Sequence, residues 1–213
     1  MKWIAVMLAA LLASANVSAE LLEGSVFQPN GENLIIQTPP NWRMAYMNGD
    51  PGSDYVVEFL PPNEAHDSWR EGYMSVQRRT LPGSALMDGI RARQLTLSSV
   101  AVGEVLQNVQ RNCAGKFMQM RQKDTLTGSA PTSISGGFCD RYGAAAPYGE
   151  GSVFAVVEGK KSLFVVQFGW RPATQDENKQ FGYRISPERL QVYLDLLNRA
   201  VLCGADDEPA CPK

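Results

Sequence analysis

The chain has 213 residues, of which 44% are hydrophobic and 20% charged, and its formal net charge is −2. This length suffices for one domain with a sizeable core. The near balance of charge argues against a nucleic acid partner, because proteins that bind nucleic acids usually carry a basic face. No apolar stretch after the N-terminal segment is long enough to span a bilayer, so we expect no transmembrane segment in the mature chain.

The first 19 residues have the pattern of a secretory signal peptide. Lys2 precedes an apolar run from Trp3 to Ala13, and the segment closes with Val17-Ser18-Ala19, in which Val17 is larger than usual. The apolar run is shorter than the about 20 residues that a bilayer span requires. We predict a signal peptide over 1–19, cleavage near Ala19, and a periplasmic or secreted protein; a buried N-terminal helix is the alternative.

The mature chain has four cysteines, Cys113, Cys139, Cys203 and Cys211. An even number of cysteines in an exported chain indicates two disulfides, for which three pairings are possible. We favour Cys113–Cys139 with Cys203–Cys211, because each bond closes a local loop. Zinc is the alternative, but there is no C-x-x-C spacing and the single histidine is distant in sequence, so no metal site and no cofactor are predicted.

The first half of the mature chain predicts mostly strands. In "YMSVQRR", Met74 and Val76 alternate with Ser75 and Gln77, as in a half-buried strand. A less regular apolar stripe predicts one helix from Ser84 to Val100. The other predicted strands up to this helix are "NLIIQTP", "WRMAYMN" and "DYVVEFLP", with a turn at "GDPG".

Strands are predicted again after this helix, in "EVLQNVQ", "KFMQMRQK" and "GGFCDRYGA". The stretch 124–137, "DTLTGSAPTSISGG", is rich in turn-forming residues and predicts a mobile loop. Residues 152–158 and 163–170 predict a hairpin whose second strand is central. Ser186-Pro187-Glu188 predicts the start of a closing helix that contains Leu190, Leu194, Leu197 and Val201.

This order predicts an α+β fold, a mostly antiparallel sheet packed with two main helices, as a single domain over 20–203 with a disulfide-tethered tail over 204–213. The stretch "TPPNWRMAYM", followed by "VVEFLPP", resembles the strand entry of the sandwich shared by photosystem PsbP proteins and Ran-binding Mog proteins. In addition, "SWREGYMSVQ" resembles a signature of uncharacterised exported proteins of Gram-negative bacteria. The resemblance covers most of Leu34 to Leu202. It implies binding or assisting other proteins, and it carries over no catalytic residue.

His66 is the first residue to test for catalysis, because it is the only histidine of the chain. A histidine base needs a nucleophile and an orienting group, normally from separate segments, whereas Asp67 and Ser68 are its direct neighbours. We therefore interpret this stretch as a strand connection, in which Asn63 or Asp67 caps a turn and Trp69 reaches the core. No catalytic residue is assigned.

Two further kinds of site remain open. A carboxylate pair could support hydrolysis, and the candidate acids are Glu58, Glu64, Asp67, Glu71, Glu104, Asp140 and Glu158. Aromatic side chains could form a binding surface, for which we select Trp42, Trp69 and Tyr148, with Trp170 and Tyr183 as further members; tryptophans are more often core residues.

The sequence therefore favours an exported, non-catalytic protein that binds another envelope or secreted protein. The alternatives are a periplasmic hydrolase that uses a carboxylate pair and a small-ligand carrier with an apolar cavity between sheet and helix.

Overall fold

The computed structural model describes residues 20–22, 25–27, 31–176, 182–204 and 210–211. These residues form an α+β fold with a mostly antiparallel sheet, which confirms the predicted class. The predicted signal peptide, its cleavage site near Ala19 and most of the predicted C-terminal tail lie outside the described residues.

The described residues contain twelve strands and three helices. The strands are β1 (Glu20–Leu22), β2 (Ser25–Phe27), β3 (Asn33–Ile35), β4 (Arg43–Gly49), β5 (Tyr55–Leu60), β6 (Tyr73–Thr80), β7 (Phe117–Gln119), β8 (Lys123–Thr127), β9 (Ala130–Cys139), β10 (Glu150–Glu158), β11 (Ser162–Trp170) and β12 (Val201–Cys203). The helices are α1 (Ser84–Ala92), α2 (Leu97–Asn112) and α3 (Pro187–Asn198).

Eight strands form the main sheet, in the order β4-β5-β6-β11-β10-β9-β7, with β8 also paired to β9. Neighbouring strands in this sheet are antiparallel. The predicted central hairpin is β10–β11, and β11 lies between β6 and β10 as its two apolar faces require. Two small antiparallel pairs, β1–β2 and β3–β12, accompany the sheet.

One face of the main sheet packs against α3, and we call it the α3 face. Its core includes Phe164, Phe168 and Trp170 from β11, together with Tyr193 and Leu197 from the helix. The rings of Phe168 and Tyr193 stack with centroids 4.6 Å apart. Ser186 caps α3 as predicted, since its side chain accepts a hydrogen bond from the backbone N–H of Arg189 at 3.2 Å.

The opposite face, which we call the α1–α2 face, is covered in part by α1 and α2. Val102 and Leu106 of α2 pack with Phe154, Val156 and other apolar side chains of β10 and β11. Thr96 caps α2 by accepting from the Ser99 N–H at 3.1 Å. The helix pair thus covers β9 and β10 more than it covers β5 and β6, which leaves part of this face open.

Three helices lie in the described residues, where two main helices were expected. The predicted helix 84–100 is interrupted after Ala92, where Gln94 has a φ of 59°, and a new helix starts at Leu97. The predicted strand "EVLQNVQ" is wrong, because these residues continue α2. The pairs Val102–Leu106 and Val105–Val109 repeat at four-residue spacing and face the sheet, so the helical period wins over local β-propensity.

The predicted mobile loop over 124–137 is also wrong. These residues form most of the β8–β9 hairpin, with Gly128 at a φ of +62° in its turn. Its serines and threonines are polar but not solvated: Thr132, Ser133 and Ser135 are at most 3% exposed. The closing helix is shorter than predicted, because Val201 belongs to β12 rather than to α3.

Both disulfides of the favoured pairing are present. Cys113–Cys139 joins the end of α2 to the end of β9, and Cys203–Cys211 joins β12 to the C-terminal tail. The two bonds fit an extracytoplasmic location, because structural disulfides persist in oxidising compartments.

Candidate functional site

A groove with a volume of about 790 Å³ lies between the α1–α2 pair and the main sheet. Side chains of β6, β11 and β10 form its floor, and α1 and α2 supply its walls. Its size falls in the range of ligand-binding pockets, about 300–1,000 Å³. The groove is therefore the strongest candidate site in the part of the chain that the structure describes.

The floor of the groove contains polar as well as apolar side chains, because alternate residues of each strand face it. On β6, Met74 and Val76 enter the α3 face, so Gln77 is left on the α1–α2 face. On β11, Gln167 interrupts the apolar side chains of the same face, and its amide nitrogen donates to the Ser152 hydroxyl at 2.9 Å. The floor thus offers side-chain amides, whereas Leu163 and Val165 on the same strand remain apolar.

The helical wall is apolar and open to solvent at its rim. Ile90 is 7% exposed and packs in the core of the α1–α2 face, whereas Leu86, one turn earlier on α1, is 57% exposed. Val105 and Val109 of α2 also line the groove. An occupant could therefore bury apolar side chains against the helices and make hydrogen bonds to the sheet.

The two ends of the groove differ in charge. Arg79 pairs with Leu163 at the end of β6, and Arg93 follows the last turn of α1, so both cations line the end that α1 closes. Glu150 and Tyr142 line the opposite end. Burial raises the pKa of Glu150 above its ordinary value, while the Arg171 guanidinium acts to lower that pKa.

Arg171 organises the acidic end. Its Nε and Nη2 donate to the same Glu150 oxygen at 2.9 and 2.8 Å, and its Nη1 donates to the Trp69 carbonyl at 2.6 Å. The guanidinium also lies 3.8 Å from the centroid of the Trp69 ring, a cation–π contact. The Glu150 carboxylate is therefore neutralised by a cation that is itself fixed in place.

A second buried carboxylate, Glu58, lies on β5 in the same face. Its carboxylate contacts His66 Nδ1 and accepts a hydrogen bond from the Tyr73 hydroxyl at 3.2 Å. The His66 ring in turn stacks on Tyr46 with centroids 4.6 Å apart. Burial raises the pKa of Tyr73, and the negative charges of Glu58 and Glu150 both add to that rise.

This arrangement favours binding over acid–base chemistry. Each of the two carboxylates is already engaged by a basic side chain, Glu150 by Arg171 and Glu58 by His66. Of the other acids in the predicted stretch, Glu64 stabilises the loop: its carboxylate accepts from the backbone N–H groups of Arg70 and Glu71 at 3.0 and 2.7 Å. Through its contacts with Tyr46 on β4 and Glu58 on β5, His66 links the 61–69 connection to these two strands.

The aromatic residues selected from the sequence are distributed over both sides of the sheet. Trp42, Trp170 and Tyr183 pack in or against the core of the α3 face. Trp69 is 7% exposed and stacks on Tyr73 at 5.4 Å, on the opposite face. Tyr148 is 38% exposed between β9 and β10. The sheet therefore separates Trp42 from Trp69, and they do not form one continuous surface.

Sequence reasoning missed Glu150, Arg171 and the pairing of Glu58 with His66. A signal for the first two was present in the predicted hairpin. Its register pairs Gly151 with Trp170, so the next positions outward, 150 and 171, face each other across the end of the two strands. Glu150 and Arg171 carry opposite charges at those positions.

No protein-family model matches this chain, and no curated protein matches its sequence. Several solved structures are similar in chain arrangement. The Ran-binding protein Mog1p of Saccharomyces cerevisiae has 14% identity and a TM-score of 0.45, over 78% of this chain and 88% of that one. Cyanobacterial PsbP from Synechocystis sp. PCC 6803 has 12% identity and a TM-score of 0.47, over 80% and 86%. LpqN of Mycobacterium tuberculosis, involved in cell envelope biogenesis, has 14% identity and a TM-score of 0.45, over 82% and 86%. At these values no residue role is carried over.

Among the described residues, no helix is long and apolar enough to cross a membrane.

Proposed function

We propose that this protein is an exported binding protein that holds a segment of another envelope or secreted protein in the groove between α1–α2 and the main sheet. The groove itself, with its apolar helical wall and its amide-bearing floor, is the observation that carries the proposal. Peptide segments present apolar side chains and backbone polar groups together, and such a groove serves both.

Export is part of the proposal. It is supported by the N-terminal sequence pattern and by the two disulfides, which suit a periplasmic or secreted location. A test is to alkylate free thiols in intact cells and to compare the mature protein with and without reduction. We expect no labelling before reduction; free thiols in the mature protein would contradict export to an oxidising compartment.

The groove can be tested by site-specific photo-crosslinking in cells that produce the full chain. A photoreactive residue replaces Leu86, which is 57% exposed at the groove rim, or Val192, which is 45% exposed on α3. We expect one envelope protein to crosslink to position 86 and not to position 192. Equal crosslinking at both positions, or at neither, would contradict the proposal.

A groove-filling variant gives a second readout with the identified partner in purified form. Gly89 lines the groove, and a Cβ at this position meets no atom within 4 Å, so Gly89→Trp can fill the groove without a clash at the backbone. Gly103 on α2 is equally open but does not line the groove, which makes Gly103→Trp the matched control. We expect only Gly89→Trp to abolish binding.

A small-ligand carrier is the second candidate, because an opening between sheet and helices is the feature that such a carrier requires. The side-chain amides of Gln77 and Gln167 on the floor favour a peptide over an acyl chain, since they can pair with backbone N–H and C=O groups.

A further inference from the structure

We propose, on the basis of the proposed function, that the segment held in the groove is extended and carries an acidic side chain at the end bounded by Arg79 and Arg93. Three features of the groove point to such an occupant: the length of the floor, the free polar groups on it and the charge at one end.

The floor has the length of a short extended peptide. Leu163, which pairs with Arg79, lies at one end of the floor, and Glu150, which faces position 171, lies at the other. Position 171 is eight positions after Leu163, which is roughly 26 Å at about 3.3 Å per residue. A bound strand of about eight residues therefore spans the groove.

Two polar groups on the floor are suited to a peptide backbone. The amide oxygen of Gln77 accepts from Arg79 Nη2 at 2.9 Å, and the amide nitrogen of Gln167 donates to Ser152. The Gln77 amide nitrogen and the Gln167 amide oxygen have no partner among the described residues. One donor and one acceptor thus remain on neighbouring strands, the combination that a peptide group needs.

The charge at the α1 end determines which side chain of the occupant is favoured there. Arg79 and Arg93 are both exposed, and neither forms an ion pair within the described residues. At the other end, the charge of Glu150 is already neutralised by Arg171. Asp54 lies near Arg79, which helps to lower the Asp54 pKa, and Glu104 lines the α2 wall of the groove. Of the charges that line the groove, two cations lie at the α1 end, so an acidic side chain of the occupant is complementary there.

The test is selection from a display library of random linear peptides on immobilised mature protein, followed by sequencing of the enriched peptides. The same selection is run on the charge-reversed variant Arg79→Glu/Arg93→Glu. The control variant is Arg121→Glu/Arg199→Glu, which changes the net charge equally at exposed positions that do not line the groove. Circular dichroism and the unfolding midpoint establish that each variant is folded.

We expect peptides with apolar residues beside an acidic residue on the wild-type protein and on the control variant. On Arg79→Glu/Arg93→Glu the acidic preference is lost or turns basic, and a synthetic acidic peptide from the wild-type selection binds about tenfold more weakly. The inference is wrong if the enriched peptides show no charge preference, or if Arg79→Glu/Arg93→Glu leaves their preference unchanged. Either result leaves the proposed function standing. No enrichment above a blank surface overturns both.

Discussion

On the α3 face of β11, Phe164, Phe168 and Trp170 are at most 1% exposed, whereas Gln167 of the same strand is half-buried on the α1–α2 face. A cavity of about 40 Å³ beside Leu34 is found under α3, compared with about 790 Å³ under α1 and α2. One strand therefore contributes to a close-packed core on one side and to an open groove on the other. The difference indicates that the α3 face supplies stability, while the α1–α2 face keeps the open space that the proposed binding requires.

The largest expected effect is that of truncating an aromatic residue on the α3 face. Phe168→Ala removes a fully buried ring that stacks on Tyr193, and we expect a loss of about 3–5 kcal/mol in the free energy of unfolding. Its neighbour Gln167 is the control: Gln167→Ala removes one partly buried hydrogen bond to Ser152 and costs about 0.5–1.5 kcal/mol. Urea unfolding measures both, and equal losses would refute the contrast between the faces.

The next effect concerns how α2 is held to the sheet. Cys113–Cys139 closes a loop with a sequence separation of 26, compared with 8 for Cys203–Cys211. In the chain-entropy model, Cys113→Ala/Cys139→Ala costs about 3.5 kcal/mol and Cys203→Ala/Cys211→Ala about 2.5 kcal/mol. Only the first change is expected to increase hydrogen exchange in the last turn of α2. Faster exchange there in both variants would show that the bond does not hold the helix locally.

A third prediction concerns the ion pair at the acidic end of the groove. Arg171→Leu leaves the Glu150 carboxylate without its guanidinium, and we expect a loss of about 2–3 kcal/mol at pH 7. The side chains of Arg171 and Glu150 are 13% and 16% exposed, so solvent screens the pair only weakly. The hydrogen bond to the Trp69 carbonyl is lost as well.

The pH dependence of this loss has a defined sign. Burial raises the pKa of Glu150, so the folded protein holds that proton more tightly than the unfolded chain does. The resulting stability is fully present below the unfolded pKa and is lost as the pH rises through the folded pKa. Removing Arg171 raises the pKa further, so the deficit of Arg171→Leu shrinks between roughly pH 7 and pH 5. The double variant Glu150→Gln/Arg171→Leu should lack this dependence, and an equal deficit at both pH values in Arg171→Leu would contradict it.

Much of the fold could be predicted where local patterns are unambiguous. The alternation in β6 predicted that Gln77 lies opposite the core residues Met74 and Val76, which gave part of the groove floor. The cap at Ser186 located the start of α3. By contrast, Val105 and Leu106 are adjacent apolar residues in "EVLQNVQ", and a window of seven residues cannot separate a strand from a buried helical turn.

The groove itself could not be predicted from local patterns. It exists because α1 ends at Ala92 and α2 starts again at Leu97, so the two helices do not cover the sheet as one rod would. The contact between Glu58 and His66 likewise depends on how the 61–69 connection folds over β5, which no periodicity records. Only the pairing of Glu150 with Arg171 had a sequence signal, the register of the hairpin.

The smallest effects compare the same substitution, glycine to alanine, on the two faces. Gly89 lies inside α1, has no positive φ, and a Cβ there meets no atom within 4 Å. Gly89→Ala should therefore stabilise the protein by about 0.5–1 kcal/mol, because alanine loses less backbone entropy in a helix. At Gly151 on β10, a Cβ would run into the Trp170 ring, which is 1% exposed, so Gly151→Ala should destabilise the protein. Thermal unfolding gives the two signs directly. If both changes destabilise, the α1–α2 side is packed more tightly than the groove implies; opposite signs mean that this side keeps free space that the α3 face does not have.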